Sequence, residues 1–311
     1  MSLIEQAAQR LEQLRQAGVA LPSPSPAVET VPEPMVEQTP PPVHSEGLPS
    51  PAKHEEPEVL QSPEMVMSRR VELDLDMLSA AGIIRPDAPR SQLADEYRVI
   101  KRPLIDNAMG KGASPIKDGN LIMVTSAMPG EGKTFTAANL AMSIAMELDN
   151  TVMLVDADVA RPTLLKRLGL PPARGLLDVL VDESVKLPQV LLRTNVEKLT
   201  ILPSGTSHPR ATELLASDAM VRLLEDMATR YADRIIIFDS PPLLVTTEAR
   251  TLASHMGQVV VVVRAESGTH SEIMSALATI KGCPVKLMLL NGAKSLAPDG
   301  YGYGYGYGDG N

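Results

Sequence analysis

A chain of 311 residues has room for one large domain or two small ones. Its net charge of −9 argues against a nucleic-acid binder, which would usually show a basic face, and its one cysteine, Cys283, rules out an internal disulfide and suits a reducing cytoplasm. Hydrophobic residues make up 44% but aromatics only 3%, so a core must be built from Val, Ile, Leu, Ala and Met.

Residues 1–20 read as an amphipathic helix. Ser2 and Glu5 have capping-box spacing, Leu3, Ile4, Ala7, Ala8, Leu11 and Leu14 share one face, and Gly18 supplies the stop. So short a helix is marginal alone in water, and its apolar face either docks on a partner or packs on its own domain. The segment is charged throughout and lacks the apolar centre of a secretory signal. Nowhere does the chain offer the ~20 uninterrupted apolar residues of a membrane span, so a soluble, cytoplasmic protein is expected. Residues 21–70 are crowded with Pro, Glu and Ser, with too little apolar surface to offset ordering entropy, and read as a semi-extended, disordered linker.

Globular patterning covers residues 71–295. "VELDLDMLSAAGI" predicts a short helix ending at Gly82, and "SQLADEYRVIKRPLIDNAM" a second one starting near Ser91. Pro103 removes a helical hydrogen bond and clashes with the preceding turn, so a kink or break is expected there. Past residue 120, the apolar runs "LIMVTS", "TVMLVDAD", "KLTILPSG", "RIIIFDS", "QVVVVVRA" and "VKLMLLN" are separated by helix-like segments. Strands that are apolar without alternation are buried on both faces. This predicts an α/β fold, a mostly parallel sheet flanked by helices. Residues 296–311 form a tail, "YGYGYGYGDGN" at its end, holding Tyr301, Tyr303, Tyr305 and Tyr307 of the six tyrosines in the chain. Alternating Gly, which has no Cβ, leaves such a tail free to approach another surface closely.

The first long strand runs straight into "SAMPGEGKTFTAANL". This is the phosphate-binding loop pattern, with Ala127 where the strict form has Gly. Gly130 and Gly132 let backbone N–H groups approach phosphate oxygens, and the following helix offers its positive N-terminus. In this pattern Lys133 reaches the β- and γ-phosphates and the Thr134 hydroxyl ligates Mg²⁺. The second strand ends in "VMLVDADVARP". Asp156 and Asp158, two apart, are expected on one face looking into a ligand crevice. "RIIIFDSPP" sets Asp239 at the end of another buried strand, a Walker B position. A phosphate loop and three acids define a Mg–nucleotide site without naming the reaction.

Taken together, "SAMPGEGKT", the aspartate pair of "VMLVDADVARP", "IIIFDSPP" and "LPSGTSHPRATELL" resemble the bacterial tyrosine kinases of exopolysaccharide and capsule export over roughly residues 90–311. The segments "MSLIEQAAQRL" and "EYRVIKRPL" resemble the branch associated with exosortase-linked systems. The resemblance implies a P-loop tyrosine kinase domain that binds ATP through Gly130, Glu131, Gly132, Lys133 and Thr134, flanked by Pro129 and Phe135, with Asn291 near the adenine. It implies Mg²⁺ at Thr134, Asp158 and Asp239, and Asp156 as the base toward an incoming tyrosine. Tyr301, Tyr303, Tyr305 and Tyr307 become the autophosphorylation cluster. Asp95, Arg98 and Lys101 align with the family's Glu-x-x-Arg-x-x-Arg pattern for ring-like self-association. A membrane-embedded chain-length regulator on a separate chain and a cognate tyrosine phosphatase are the implied partners, placing the protein peripherally at the inner membrane.

Three departures stand out. Ala160 occupies a position where the family carries Arg, with Arg161 following; Lys101 cannot reproduce a guanidinium fork; and Glu248 stands where Asp is frequent. Two other readings use the same site. A partitioning or positioning ATPase would use ATP as a dimerisation switch, although such proteins place Lys where this chain has Met128. A catalytically weak scaffold would bind ATP only to organise an export machine.

Overall fold

The computed structural model describes residues 68–87, 91–112 and 114–293. The expected N-terminal helix, most of the linker and the tyrosine tail lie outside the described residues. Eight strands form one sheet: β1 (Arg69–Arg70), β2 (Leu121–Ser126), β3 (Thr151–Asp156), β4 (Leu192–Arg193), β5 (Leu199–Leu202), β6 (Arg234–Asp239), β7 (Gln258–Arg264) and β8 (Val285–Asn291). Their order across the sheet is β1-β4-β5-β3-β6-β2-β7-β8, and every neighbouring pair is parallel except β4 with β5.

The uninterrupted apolar strands behave as their sequence requires. Along β2, β3, β6 and β7, alternate residues enter opposite hydrophobic layers. Met123, Val155, Phe238 and Val261 belong to one layer, and Val124, Leu154, Ile237 and Val260 to the other. Helices α2 (Gln92–Ala108) and α3 (Lys133–Ala145) cover one face through Leu104, Ile105, Leu140 and Ile144. Helix α5 (Asp218–Arg230) and helix α6 (Thr247–Ala253) cover the other through Met220, Leu224, Met227 and Leu252. Burial of both faces leaves each strand's backbone satisfied by its neighbours, which suits a parallel sheet.

Two helices begin where their capping residues predict. Helix α1 (Leu75–Ala80) starts after Asp74, whose carboxylate accepts the amides of Asp76 and Met77. It closes through Ala81 into Gly82 at φ +80°. Ser91 caps α2 by accepting the Ala94 amide at 3.2 Å. Among the described residues no helix is long and apolar enough to cross a membrane.

Three expectations need correction. Helix α2 continues through Pro103 instead of ending there. Pro103 and Val99, the residue whose carbonyl loses its partner, are both exposed, so water can satisfy that oxygen. Strand β8 is not buried on both faces. It lies at the sheet edge with one neighbour, Leu287 and Leu289 pack inward, and Met288 and Leu290 stay exposed. The sheet also begins before residue 71, because Arg69–Arg70 pairs with Leu192–Arg193. Two exposed arginines carry no strand pattern, and only their backbone makes the pairing.

Candidate active site

The phosphate loop joins β2 to α3. Gly130 and Gly132 have φ of +86° and +100°, a region that L side chains avoid. Gly132 is constrained twice, since a Cβ there would lie 2.0 Å from Asn291 Nδ2. The loop is braced from within. The buried Glu131 carboxylate accepts the Met128 amide at 2.7 Å, and the Ser126 hydroxyl donates to the Met128 carbonyl at 2.7 Å. Helix α3 starts at Lys133, and its first-turn amides have no intrahelical acceptor, which makes the loop mouth an anion-binding position.

The carboxylates converge on this mouth from neighbouring strand ends. Asp156 and Asp239 are register partners on β3 and β6, 1% and 0% exposed. Asp156 Oδ2 accepts the Leu164 amide at 3.3 Å, Oδ1 makes no hydrogen bond of ordinary geometry, and the Asp158 amide lies near the carboxyl. Neither oxygen of Asp239 makes a hydrogen bond of ordinary geometry. Burial, followed by repulsion from Asp239 and Asp158, pushes the Asp156 carboxyl up to about 8. Burial pushes Asp239 up to about 6, held back by the Lys133 charge and the nearby Thr134 hydroxyl. Lys133 Nζ pairs with Asp158 Oδ2 at 2.6 Å, both side chains nearly buried.

The sequence reading placed Asp156 and Asp158 on one face, and the structure corrects this. The strand ends at Asp156, and the chain turns before Asp158 takes up its position. Asp158 lines a cleft of about 430 Å³ together with Pro129, Gly130, Gly132, Lys133, Thr134 and Phe135. Asp156 lines a different cavity. Asn291 is absent from the cleft lining; its Nδ2 donates to the Glu131 carbonyl from behind the loop at 3.0 Å.

The cleft also gathers residues the motif reading missed. Arg167, Thr163, Val245 and Thr246 join Ala160 and Arg161 around its rim. Arg167 ends the short helix α4 (Leu164–Arg167), and no spacing rule ties that position to the phosphate loop. "PPLLVTTEA" directly after Asp239 was the available signal for Val245 and Thr246. Glu248 is buried in α6 and does not line the cleft.

On α2, Asp95 and Arg98 form an exposed i,i+3 ion pair. Lys101 turns inward. Its ammonium donates to the Ser143 carbonyl near the end of α3 and pairs with Glu147 at 2.8 Å, and the residue is 4% exposed. Its charge is therefore buried and paired inside the fold, whereas the Arg98–Asp95 pair is open to solvent.

The residues at the mouth fit a hard divalent cation. Asp239 has two buried oxygens without partners, beside the Thr134 hydroxyl and close to Asp158. Mg²⁺ takes one or two protein oxygens and completes its shell with phosphate and water. Among the described residues no cluster of three or more His, Cys, Asp or Glu side chains would enclose a metal without such help.

A glycine loop between strand and helix, with acids at the ends of adjacent parallel strands, defines a P-loop nucleotide-binding protein. Residues 119–287 match the family described as "AAA domain". The tyrosine-protein kinase YwqD of Bacillus subtilis is 32% identical over 214 residues, spanning 68% of this chain and 86% of that protein. The chain therefore belongs to the bacterial tyrosine-protein kinase family. It matches 22% of the length of the putative tyrosine-protein kinase EpsB of Ralstonia nicotianae, at 35% identity over 54% of this chain. Among solved structures, the kinase domain of Escherichia coli tyrosine kinase ETK superposes with a TM-score of 0.55 at 25% identity, covering 74% of this chain and 98% of that one. The chimerical protein CapA2B2 superposes with a TM-score of 0.56 at 27% identity, covering 71% and 93%.

Proposed function

We propose that this chain is an ATP-dependent protein-tyrosine autokinase whose acceptors are Tyr301, Tyr303, Tyr305 and Tyr307 of a second copy. The observation that carries the reading is the Asp156 carboxyl, buried with one oxygen unpartnered, in register with Asp239 beside the phosphate loop. A nucleotide switch would use the same oxygen on water, whereas the four tyrosines of the tail supply a phenol instead.

The chemistry follows from the residues. Loop amides and Lys133 hold the β- and γ-phosphates, and Lys133 exchanges its Asp158 partner for phosphate oxygen as ATP enters. Thr134, Asp158 and Asp239 would hold Mg²⁺, which supplies positive charge against the γ-phosphate. Positive charge held at Asp158 and Asp239 would lower the Asp156 carboxyl from the raised value that burial, then repulsion, gives it, and so would favour its carboxylate. The phenolic oxygen then bonds to the γ-phosphorus while its proton passes to Asp156. The bond from γ-phosphorus to the β–γ bridging oxygen breaks, and ADP leaves with the electron pair. A phenol with an ordinary pKa near 10 holds its proton at neutral pH, and a carboxylate of raised pKa is a better acceptor for it than an exposed one. Arg161 and Arg167 stand where they can offset phosphate charge that the Arg-to-Ala change at position 160 leaves uncovered.

The biological setting rests on a relative named a putative tyrosine-protein kinase in cps region and on another named a succinoglycan biosynthesis transport protein. On that basis the kinase regulates exopolysaccharide chain length or export, and the segments "MSLIEQAAQRL" and "EYRVIKRPL" support the exosortase-associated branch. It works from the cytoplasmic side of the inner membrane with a separate membrane-embedded regulator, a tyrosine phosphatase and further copies of itself. The 1–20 segment is the docking element in this reading.

The test is purified full chain with Mg–ATP, followed by intact mass and tail peptide mapping, beside Lys133→Met. Phosphate on tail tyrosines of the wild type alone supports the kinase. Free phosphate release with unmodified tyrosines would convert the protein into an ATPase switch.

A further inference from the structure

Arg161 and Arg167 both stand on the rim of the nucleotide cleft, and among the described residues neither guanidinium makes a hydrogen bond or an ion pair. They are held differently. Arg161 sits in the turn after Asp158, its backbone amide donating to the Asp158 carbonyl at 3.1 Å. Arg167 ends α4, a single turn that its surroundings fix. The Leu164 amide donates to Asp156 Oδ2 at 3.3 Å, and Leu164 and Leu168 are buried in the core beneath it. Thr163 and Arg167 are four apart, so they fall on one side of this turn, and both line the cleft with Lys133, Thr134 and Asp158. Leu165 and Lys166 line the cavity on the other side.

The charges at the mouth call for a further cation. Lys133, which the phosphate loop itself supplies, is paired with Asp158 at 2.6 Å. The charge of a divalent cation would be matched by Asp158 and Asp239 alone, and a nucleoside triphosphate adds several more negative charges. Position 160 on the same rim is Ala and contributes none. Burial raises the Asp239 carboxyl, and Arg167 is among the charges, after Lys133, that oppose the rise. The Arg167 charge thus already acts on the fully buried Asp239, from an exposed position that a phosphate can reach.

We infer that Arg167 is the cation that meets the γ-phosphate of bound ATP, its planar fork taking a pair of non-bridging oxygens on the phosphoryl group in transfer. The inference deepens the proposed function and rests on its nucleotide site. Loop amides already wrap the β-phosphate, and a side chain that comes from outside the loop, beside the acids, is placed for the terminal one. Charge on the γ-phosphoryl oxygens must be held while the bond to the bridging oxygen breaks. A guanidinium is always charged and bonds both oxygens at once, which an ammonium cannot do. Without a carboxylate partner, Arg167 gives up only water when it turns to phosphate.

The test compares nucleotides that differ in the γ-phosphate. Full-length wild type and Arg167→Ala are titrated with ADP and with the non-hydrolysable imido analogue of ATP, both with Mg²⁺, by calorimetry. Arg167→Ala is expected to bind the analogue about tenfold more weakly while ADP affinity stays within about twofold and the melting temperature is unchanged. Arg167→Lys should recover part of the analogue affinity, since it keeps the charge and loses the fork. The initial rate of tail phosphorylation at saturating Mg–ATP should fall by about a hundredfold in Arg167→Ala. Wild-type affinity for the analogue, or an equal loss for ADP, overturns the assignment. The titrations need no phosphoryl transfer. A wild type that modifies no tyrosine therefore overturns the kinase reading, and the two affinities still decide Arg167.

Discussion

Asn291 and Glu131 are 160 residues apart, yet the Asn291 side-chain amide donates to the Glu131 carbonyl at 3.0 Å. The bond ties the last residue of β8 to the back of the phosphate loop. Asn291→Ala removes one neutral hydrogen bond, a net loss of about 1 kcal/mol. ATP affinity is therefore expected to fall by about fivefold, with the melting temperature little changed because β8 is an edge strand. Titration of a fluorescent ATP analogue checks this, and unchanged affinity would show that the loop holds its shape without the bond.

Gly132→Ala is expected to be harsher than Asn291→Ala. The new methyl would sit at a left-handed φ and press on the Asn291 amide. Nucleotide binding should be lost in the single variant. In the double variant Gly132→Ala with Asn291→Ala, part of it should return, since the collision is relieved and only the φ strain remains. Calorimetry on the three proteins separates the two contributions.

Lys133→Met should reduce tail phosphorylation by roughly a hundredfold or more, the scale seen when one charge-stabilising donor is removed from a transition state. It also leaves Asp158 without its 2.6 Å partner. The measurement is the initial rate of phosphotyrosine formation by mass spectrometry at saturating Mg–ATP. Wild-type rates in the variant would remove Lys133 from the chemistry.

The buried acids make a pH prediction for the nucleotide-free, chelator-treated protein. Asp156 is held up to about 8 in the folded chain, whereas an unfolded aspartate titrates near 4. Between those values the folded state keeps a proton that the unfolded state has released. Stability from this group is thus full below about pH 4 and is lost as pH rises through 8. Asp239, up to about 6, adds in the same direction over a narrower window. Asp156→Asn should raise the melting temperature by several degrees at pH 8 and by much less at pH 5. It should also abolish phosphorylation. A variant less stable than wild type at pH 8 would contradict the assigned burial.

Lys101→Ala should lower stability by about 2 kcal/mol, the order expected for hydrogen bonds to a charged group. The buried ammonium fastens α2 to the Ser143 carbonyl and to Glu147 beyond α3. Arg98→Ala, which removes an exposed pair, should cost about 0.5 kcal/mol or less. Urea denaturation of both variants gives the comparison. Equal and small losses would mean that Lys101 is free to serve an interface.

Local chemistry made much of this protein legible before any coordinates. Unbroken Val, Ile and Leu runs specify strands covered on both faces, Ser91 caps its helix by a bond within three residues, and the P-loop glycines are needed where φ turns positive. Walker-type acids follow the same logic, because a strand's C-terminal end is a local position. What depends on neighbours distant in sequence was not legible. The edge position of β8, the pairing of Arg69–Arg70, the inward turn of Lys101 and the placement of Asn291 behind the loop all arise from contacts between elements that do not adjoin in sequence. The parting of Asp156 and Asp158 into two cavities belongs with them. Spacing says how far apart two side chains stand along a strand, but only the packing of residues 161–167 over the strand end decides which space each one faces.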